Sequence, residues 1–214
     1  MNSAADQLLV LVLLINILIL GTRRTRVAIR AIAAQGVVLG ILPLLIHAAN
    51  AHILLITLFV LLAKGVLIPW LLLGALKKVD FGEDLEPFLG YAGNILAGAL
   101  AMVLAFVFAA RLPLAPMHQG LLTVPAALAT ILAGFIALAS RRKAINQVIG
   151  YLLLENGIYI FGLLLTEAMP LMVEAGAILD LIVGIFVMGI IINQISREFS
   201  SIDTSRLSAL REVE

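Results

Sequence analysis

The sequence predicts an all-α fold, a polytopic bundle of seven transmembrane helices with its N-terminus outside and its C-terminus in the cytoplasm. Composition is the first ground. Of 214 residues, 63% are hydrophobic and only 13% charged, where a globular chain carries about 45–50% apolar and about 25% charged residues. Segmentation is the second. Seven apolar stretches, near 5–21, 28–46, 53–76, 90–110, 119–139, 144–166 and 171–195, are separated by short polar punctuations, and about 20 apolar residues cross the hydrocarbon as a helix. Charge sorting is the third. Arg23, Arg24, Arg26, Lys77, Lys78, Arg141, Arg142, Lys143, Arg197, Arg206 and Arg211 all fall on one side of seven spans, while the other side holds Arg111; basic loops stay cytoplasmic. Helices are expected because a backbone in hydrocarbon must satisfy its own hydrogen bonds. A membrane barrel would show the alternation of apolar and polar residues that is absent here.

Each element follows from its own residues. The opening "MNSAADQLLVLVLLINILIL" carries Asp6 and no Lys or Arg at its start and lacks a small-residue cleavage site, so it reads as a retained helix rather than a secretory leader. The second span holds Gln35 and Pro43; the third holds Lys64 and Pro69, with Trp70 toward its inner end. The acidic connection from Asp80 to Glu86 lacks the spacing of a calcium loop and reads as a solvated loop facing a cytoplasmic partner. In the fourth span Gly93, Ala97, Ala101, Ala105 and Ala109 recur every fourth position. At helical pitch they form a small-residue stripe along which another helix can approach closely, within this chain or from another subunit. The fifth has a weaker version in Ala126, Thr130 and Gly134, with Pro125 near its start. Pro43, Pro69 and Pro125 each remove a backbone donor and tend to bend their helices.

Three ionisable residues stand deep inside these spans: Lys64, Glu155 and Asp180. At ~1.5 Å per residue all three come out near the bilayer midplane, where a charge costs about 2.5–3.5 kcal/mol on insertion scales. One reading is a fixed ion pair between Lys64 and one acid that holds helices together. The other is a set of protonatable stations, because desolvation disfavours the charged form of acids and lysines alike. Asn156 beside Glu155, Tyr151 and Tyr159 one turn to either side, and Gln35 and Asn94 in other spans are candidates for relay or polar support. Such residues also serve as plain interhelical hydrogen bonds. Glu174 lies about one turn inside the outer end of the last span, and His47, His52 and His118 fall on the outer side; interfacial positions account for them.

Several function classes are excluded. The chain has no cysteine, so it builds no disulfide, thiolate metal site or iron–sulfur cluster. Its net charge of +1, without a basic block, argues against nucleic acid. No nucleotide loop, haem-binding motif, nucleophile triad or HExxH is present, so no catalytic residue, cofactor site or metal site is expected in this chain. Energy for any ion movement must come from elsewhere.

"NQVIGYLLLENGIY" resembles the second helix of the K subunit of respiratory complex I, which places an Asn near its start and a membrane Glu nine residues later; Asn146 and Glu155 occupy those places. "AILDLIVGIFVMGIIINQISREF" resembles that subunit's third helix, with Asp180 and Gly184 at its acid and glycine positions, although the acid there is Glu. The tail "SSIDTSRLSALRE" resembles the family's C-terminal segment. A K-like part of residues 119–196 behind a four-helix extension of residues 1–118, closed by a tail of residues 197–214, resembles component E of hydrogenase-4, of the formate hydrogenlyase membrane-subunit family. That resemblance implies a non-redox membrane-arm subunit of a group 4 [NiFe] hydrogenase or complex I-like assembly, in the cytoplasmic membrane of a prokaryote. Its partners would be antiporter-like membrane subunits, an H-type membrane subunit and a peripheral arm carrying iron–sulfur clusters and a nickel–iron centre. Glu155, Asp180 and Lys64 would then serve proton or sodium translocation. The alternatives are a scaffold subunit of the same complex and a subunit of a multi-subunit cation/proton antiporter.

Overall fold

The computed structural model describes residues 3–46, 51–78, 90–113, 122–141, 144–164 and the single residue Gly189. Asp180, Glu174, His47, His118 and the last predicted span lie outside them. Every described segment is helical: α1 Ser3–Gly21, α2 Thr25–Ile46, α3 Ala51–Val60, a π-helical segment Leu61–Leu67, α4 Ile68–Lys78, α5 Gly90–Ala109, α6 Thr123–Ala139 and α7 Ala144–Leu163. Among the described residues, four stretches are long and apolar enough to cross a membrane, namely Ala4–Gly21, Thr25–Ile46, Ile53–Gly74 and Gly90–Ala109. Thr123–Ala139 is a shorter apolar helix. Helix α7 has 20 residues, and Asn146, Gln147, Glu155 and Asn156 make it more polar than α1, α5 or α6.

The third predicted span is one continuous helical run with a change of pitch at its centre. The N–H of Ile68 donates to the carbonyl of Ala63, five residues back, as in a π turn. Pro69 has no N–H to give the carbonyl of Gly65, so the ladder is short of one donor where the pitch returns to α. π segments are rare and frequently sit at functional sites. This one carries Lys64.

Neighbouring helices meet in two apolar clusters with a polar layer between them. One cluster joins Ile15, Ile19 and Leu20 of α1, Ala28, Ile29 and Ile32 of α2, Leu72 and Leu76 of α4, Ala133 and Ala137 of α6, and Ile149, Leu152 and Leu153 of α7. The other joins Leu9 and Val12 of α1, Leu39 and Leu42 of α2, Ala105 of α5, Ala126 and Ala127 of α6, and Ile160 of α7. Asn16, Gln35, Thr130, Glu155 and Asn156 fall between the two clusters along their respective helices, or at the margin of one of them, and all are buried. Burial of apolar side chains on both sides leaves this layer without bulk water to satisfy it, so its partners must come from within.

Close helix approach makes the layer possible. A Cβ added at Gly36 would lie 2.8 Å from the Lys64 Cβ and 2.9 Å from its carbonyl oxygen; only glycine lets the π segment press this near to α2. Gly134 meets the backbone of Leu154 in the same way, and Gly157 meets Ile131, bringing α6 and α7 together through small residues. On α5 the buried line is Asn94, Gly98, Ala101, Ala105 and Ala109. It coincides with the small-residue stripe at Ala101, Ala105 and Ala109, whereas Gly93 and Ala97 are half-buried. A strict four-residue repeat turns about 40° beyond each helical turn, so the contact line drifts by one position over the helix. The opposite face of α5, with Leu96, Leu100, Val103 and Val107, is exposed.

Candidate functional site

The polar layer centres on an ion pair. Lys64 Nζ, from the π segment, lies 2.7 Å from Glu155 Oε1 on α7, and both side chains are 6% exposed. Charge attraction across this short separation dominates the contact. Lys64 Nζ also donates to Asn156 Oδ1 at 3.3 Å and stands 5.2 Å from the centroid of the Tyr159 ring, within cation–π range. One ammonium is thus held by a carboxylate, an amide oxygen and an aromatic face, all supplied by α7. The spacing explains it: 155, 156 and 159 lie within one turn, so their side chains converge on one neighbour.

From Asn156 the layer continues across the bundle. Asn156 Nδ2 donates to Gln35 Oε1 at 3.2 Å, and Gln35 Nε2 donates to Asn16 Oδ1 at 2.8 Å. Asn16 Nδ2 then donates to Thr130 Oγ1 at 2.8 Å, and the Thr130 hydroxyl donates to the carbonyl of Ala126 at 2.7 Å. The chain links the π segment, α7, α2, α1 and α6. Hydrogen-bond donation from a cation into a series of amides strengthens each member through polarisation.

Of the residues singled out in the sequence, Lys64, Glu155, Asn156, Gln35 and Tyr159 meet here. Tyr151 is half-buried one turn before Glu155. Asn94 lies elsewhere: its Nδ2 donates to Ser140 Oγ at 3.1 Å, near the end of the bundle where the arginines gather. Asn16 and the polar role of Thr130 went unrecognised in the sequence. A lone amide in an otherwise apolar first helix was the available signal for Asn16, while Thr130 sat in a stripe that reads as packing.

At the arginine-rich end, Arg141 is buried just past α6, and its Nη2 donates to the carbonyl of Ile19 at 2.7 Å. Burial pushes the guanidinium down to about 10, with nearby Tyr91 acting in the opposite direction, so it stays charged at neutral pH. The carbonyl ends of α1 and α6 meet there, and their partial negative charge suits a cation. Arg23 lies 4.7 Å above the Tyr91 ring, and Thr25 Oγ1 donates to Asn146 Oδ1 at 3.4 Å. At the other end the Leu122 N–H donates to Asp6 Oδ1 at 3.4 Å. Among the described residues no group of three His, Cys, Asp or Glu converges to hold a metal ion.

No known protein-family profile matches the chain, and no solved structure does. Among curated proteins it is 31% identical over 204 residues to an uncharacterised protein of Mycobacterium tuberculosis, covering 93% of this chain and 92% of that one. It is 31% identical over 170 residues to hydrogenase-4 component E of Escherichia coli K12, covering 78% of this chain and 74% of that protein. The component E of Shigella flexneri matches to the same extent. An all-helical bundle with membrane-length helices, a buried charge layer and this identity over most of both chains place the protein in the hydrogenase-4 component E family.

Proposed function

We propose that the chain is a non-redox membrane subunit of a group 4 [NiFe] hydrogenase or complex I-like assembly, and that Lys64 and Glu155 take part in translocating protons or sodium ions. The carrying observation is the ion pair at 2.7 Å, buried between two apolar clusters and built on a π segment. A charge pair this deeply buried is costly to assemble and can be bettered by apolar packing, which favours a role beyond stability. The two groups face each other directly, so the occupancy of one controls the other, and they titrate as a unit. Asp180, one span further on, would be the next station.

Seven spans with the N-terminus outside complete this reading. Arg23 of the first connection and Arg141 of the fifth lie against Tyr91 and Ile19 at one end of the bundle, as residues of cytoplasmic loops would. The K-like motif at Asn146 and Glu155 supports placement beside antiporter-like and H-type membrane subunits. The iron–sulfur clusters and nickel–iron centre would belong to partner subunits, since this chain has no cysteine. A redox event in the peripheral arm would then shift the charge of the pair.

A scaffold role draws on the same ion pair, read as fixed. The two readings part in one experiment: Glu155→Gln keeps the side chain's shape and removes its titration. The translocation reading expects coupled ion movement to be lost while the complex assembles normally. Intact translocation in an assembled Glu155→Gln complex refutes it. Co-purification from native membranes identifies the partners, and recovery of antiporter subunits alone would point to the cation/proton antiporter instead.

A further inference from the structure

We propose that Asn156, Gln35, Asn16 and Thr130 form a one-way hydrogen-bond chain whose direction is set by the charge of Lys64, making them positioning residues that report that charge to α1 and α6 without passing protons. The inference rests on reading Lys64 as a group that titrates. An ammonium only donates, and a backbone carbonyl only accepts. Starting from Lys64, Asn156 must present its oxygen, which turns its NH2 toward Gln35. Gln35 then turns its own NH2 toward Asn16, and Asn16 toward the Thr130 oxygen. At the other end the Thr130 hydroxyl donates to the Ala126 carbonyl, which leaves its oxygen to accept from Asn16, in the same direction. Both ends therefore favour one setting, with three amide oxygens aimed toward the ammonium, and the ammonium, which cannot accept, excludes the reverse.

A neutral Lys64 can accept, and a second self-consistent setting then exists. Thr130 donates to Asn16, Asn16 to Gln35, Gln35 to Asn156, and Asn156 to the amine. Reversal turns three amides over and gives up only the side-chain bond to the Ala126 carbonyl. Partial reversal leaves two donors or two acceptors facing each other in a dry layer, which is costly, so the members move together. Such an element with two discrete settings is what carries a signal between sites. No proton travels along it, because a carboxamide donates and accepts hydrogen bonds without releasing its N–H near neutral pH. Protons reaching Glu155 must therefore come by another route.

The test uses the complex purified from native membranes, with the side-chain carbonyls of Asn and Gln carrying ¹³C, and isotope-edited infrared spectra. The Asn16 carbonyl band is identified by its loss in Asn16→Leu. In Lys64→Met, and in the milder neutral variant Lys64→Gln, that band is expected to shift. In Lys64→Arg, which keeps a cationic donor, it stays at the wild-type frequency. With Gln35→Met cutting the chain, changing Lys64 to Met produces no further shift. An Asn16 band indifferent to both neutral variants, one shifted equally by Lys64→Arg, or one that still responds after Gln35→Met overturns the proposal. The translocation reading fails separately, through intact ion movement in Glu155→Gln, whatever the Asn16 band does.

Discussion

Removing the Lys64–Glu155 pair one partner at a time, and then together, separates a stability element from a working site. The side chains are 6% exposed, so a charge left alone there is barely hydrated. Breaking a buried pair by deleting one partner costs about 3–5 kcal/mol, and Lys64→Met, which strands the Glu155 carboxylate, sits in that range. Glu155→Gln costs less, about 1–3 kcal/mol, because the glutamine oxygen still accepts from Lys64, and Asn156 and the Tyr159 ring remain in place. The double variant Lys64→Met/Glu155→Gln returns to within about 2 kcal/mol of wild type, since no charge is left unpaired. At roughly 2–4 °C per kcal/mol for a chain of this size, Lys64→Met lowers the melting temperature by at least about 6 °C and the double variant recovers most of it. Thermal melting of the purified complex reads this, alongside coupled ion translocation in vesicles. Stability should recover in the double variant while translocation does not. A double variant as unstable as the sum of the two singles refutes the pair as a coupled unit. Recovery of translocation together with stability refutes the working role.

Other outcomes follow from specific contacts. Asn16→Leu leaves the Gln35 amide and the Thr130 hydroxyl short of a partner in a dry layer, and is expected to destabilise by about 1–3 kcal/mol; no loss in thermal melting would mean that the layer is hydrated. Gly36→Val places atoms against the Lys64 backbone, costs about 1–3 kcal/mol as overpacking, and should impair function more than a similarly destabilising change at an apolar position. Arg141 carries a folded-state value depressed from 12.5 to about 10, so its charge is penalised in the fold below about pH 10, and its contribution to stability rises as pH climbs from there toward 12.5. At neutral pH the penalty is about 3 kcal/mol, offset by a charge-assisted bond to Ile19 worth about 1.5–3 kcal/mol. Arg141→Gln therefore changes stability by less than about 2 kcal/mol, and a collapse of the fold in that variant would mean that the guanidinium has a further anionic partner.

What the sequence determined by itself was the solvent and the depth of the charges. Apolar runs of membrane length fix helices, because hydrocarbon offers the backbone no other partner. Counting along those runs puts Lys64 and Glu155 at similar depth, since rise per residue is constant in a helix. The same logic singled out Asn156 and Gln35 as polar groups in apolar surroundings. Position around the axis was beyond its reach. Asn94 and Gln35 are equally conspicuous in sequence, yet Asn94 bonds to Ser140 at the arginine end and Gln35 joins the central layer, because which residues meet depends on how the helices are rotated and staggered. The π segment is likewise a tertiary outcome: "LLAKGVLIP" carries a glycine and a proline, but the turn opens where Lys64 must press against Gly36 and reach α7 together. The order Lys64, Asn156, Gln35, Asn16, Thr130 scatters across five separate elements. Only their packing brings them within hydrogen-bond distance, and the donor-only ammonium at one end gives the chain its direction.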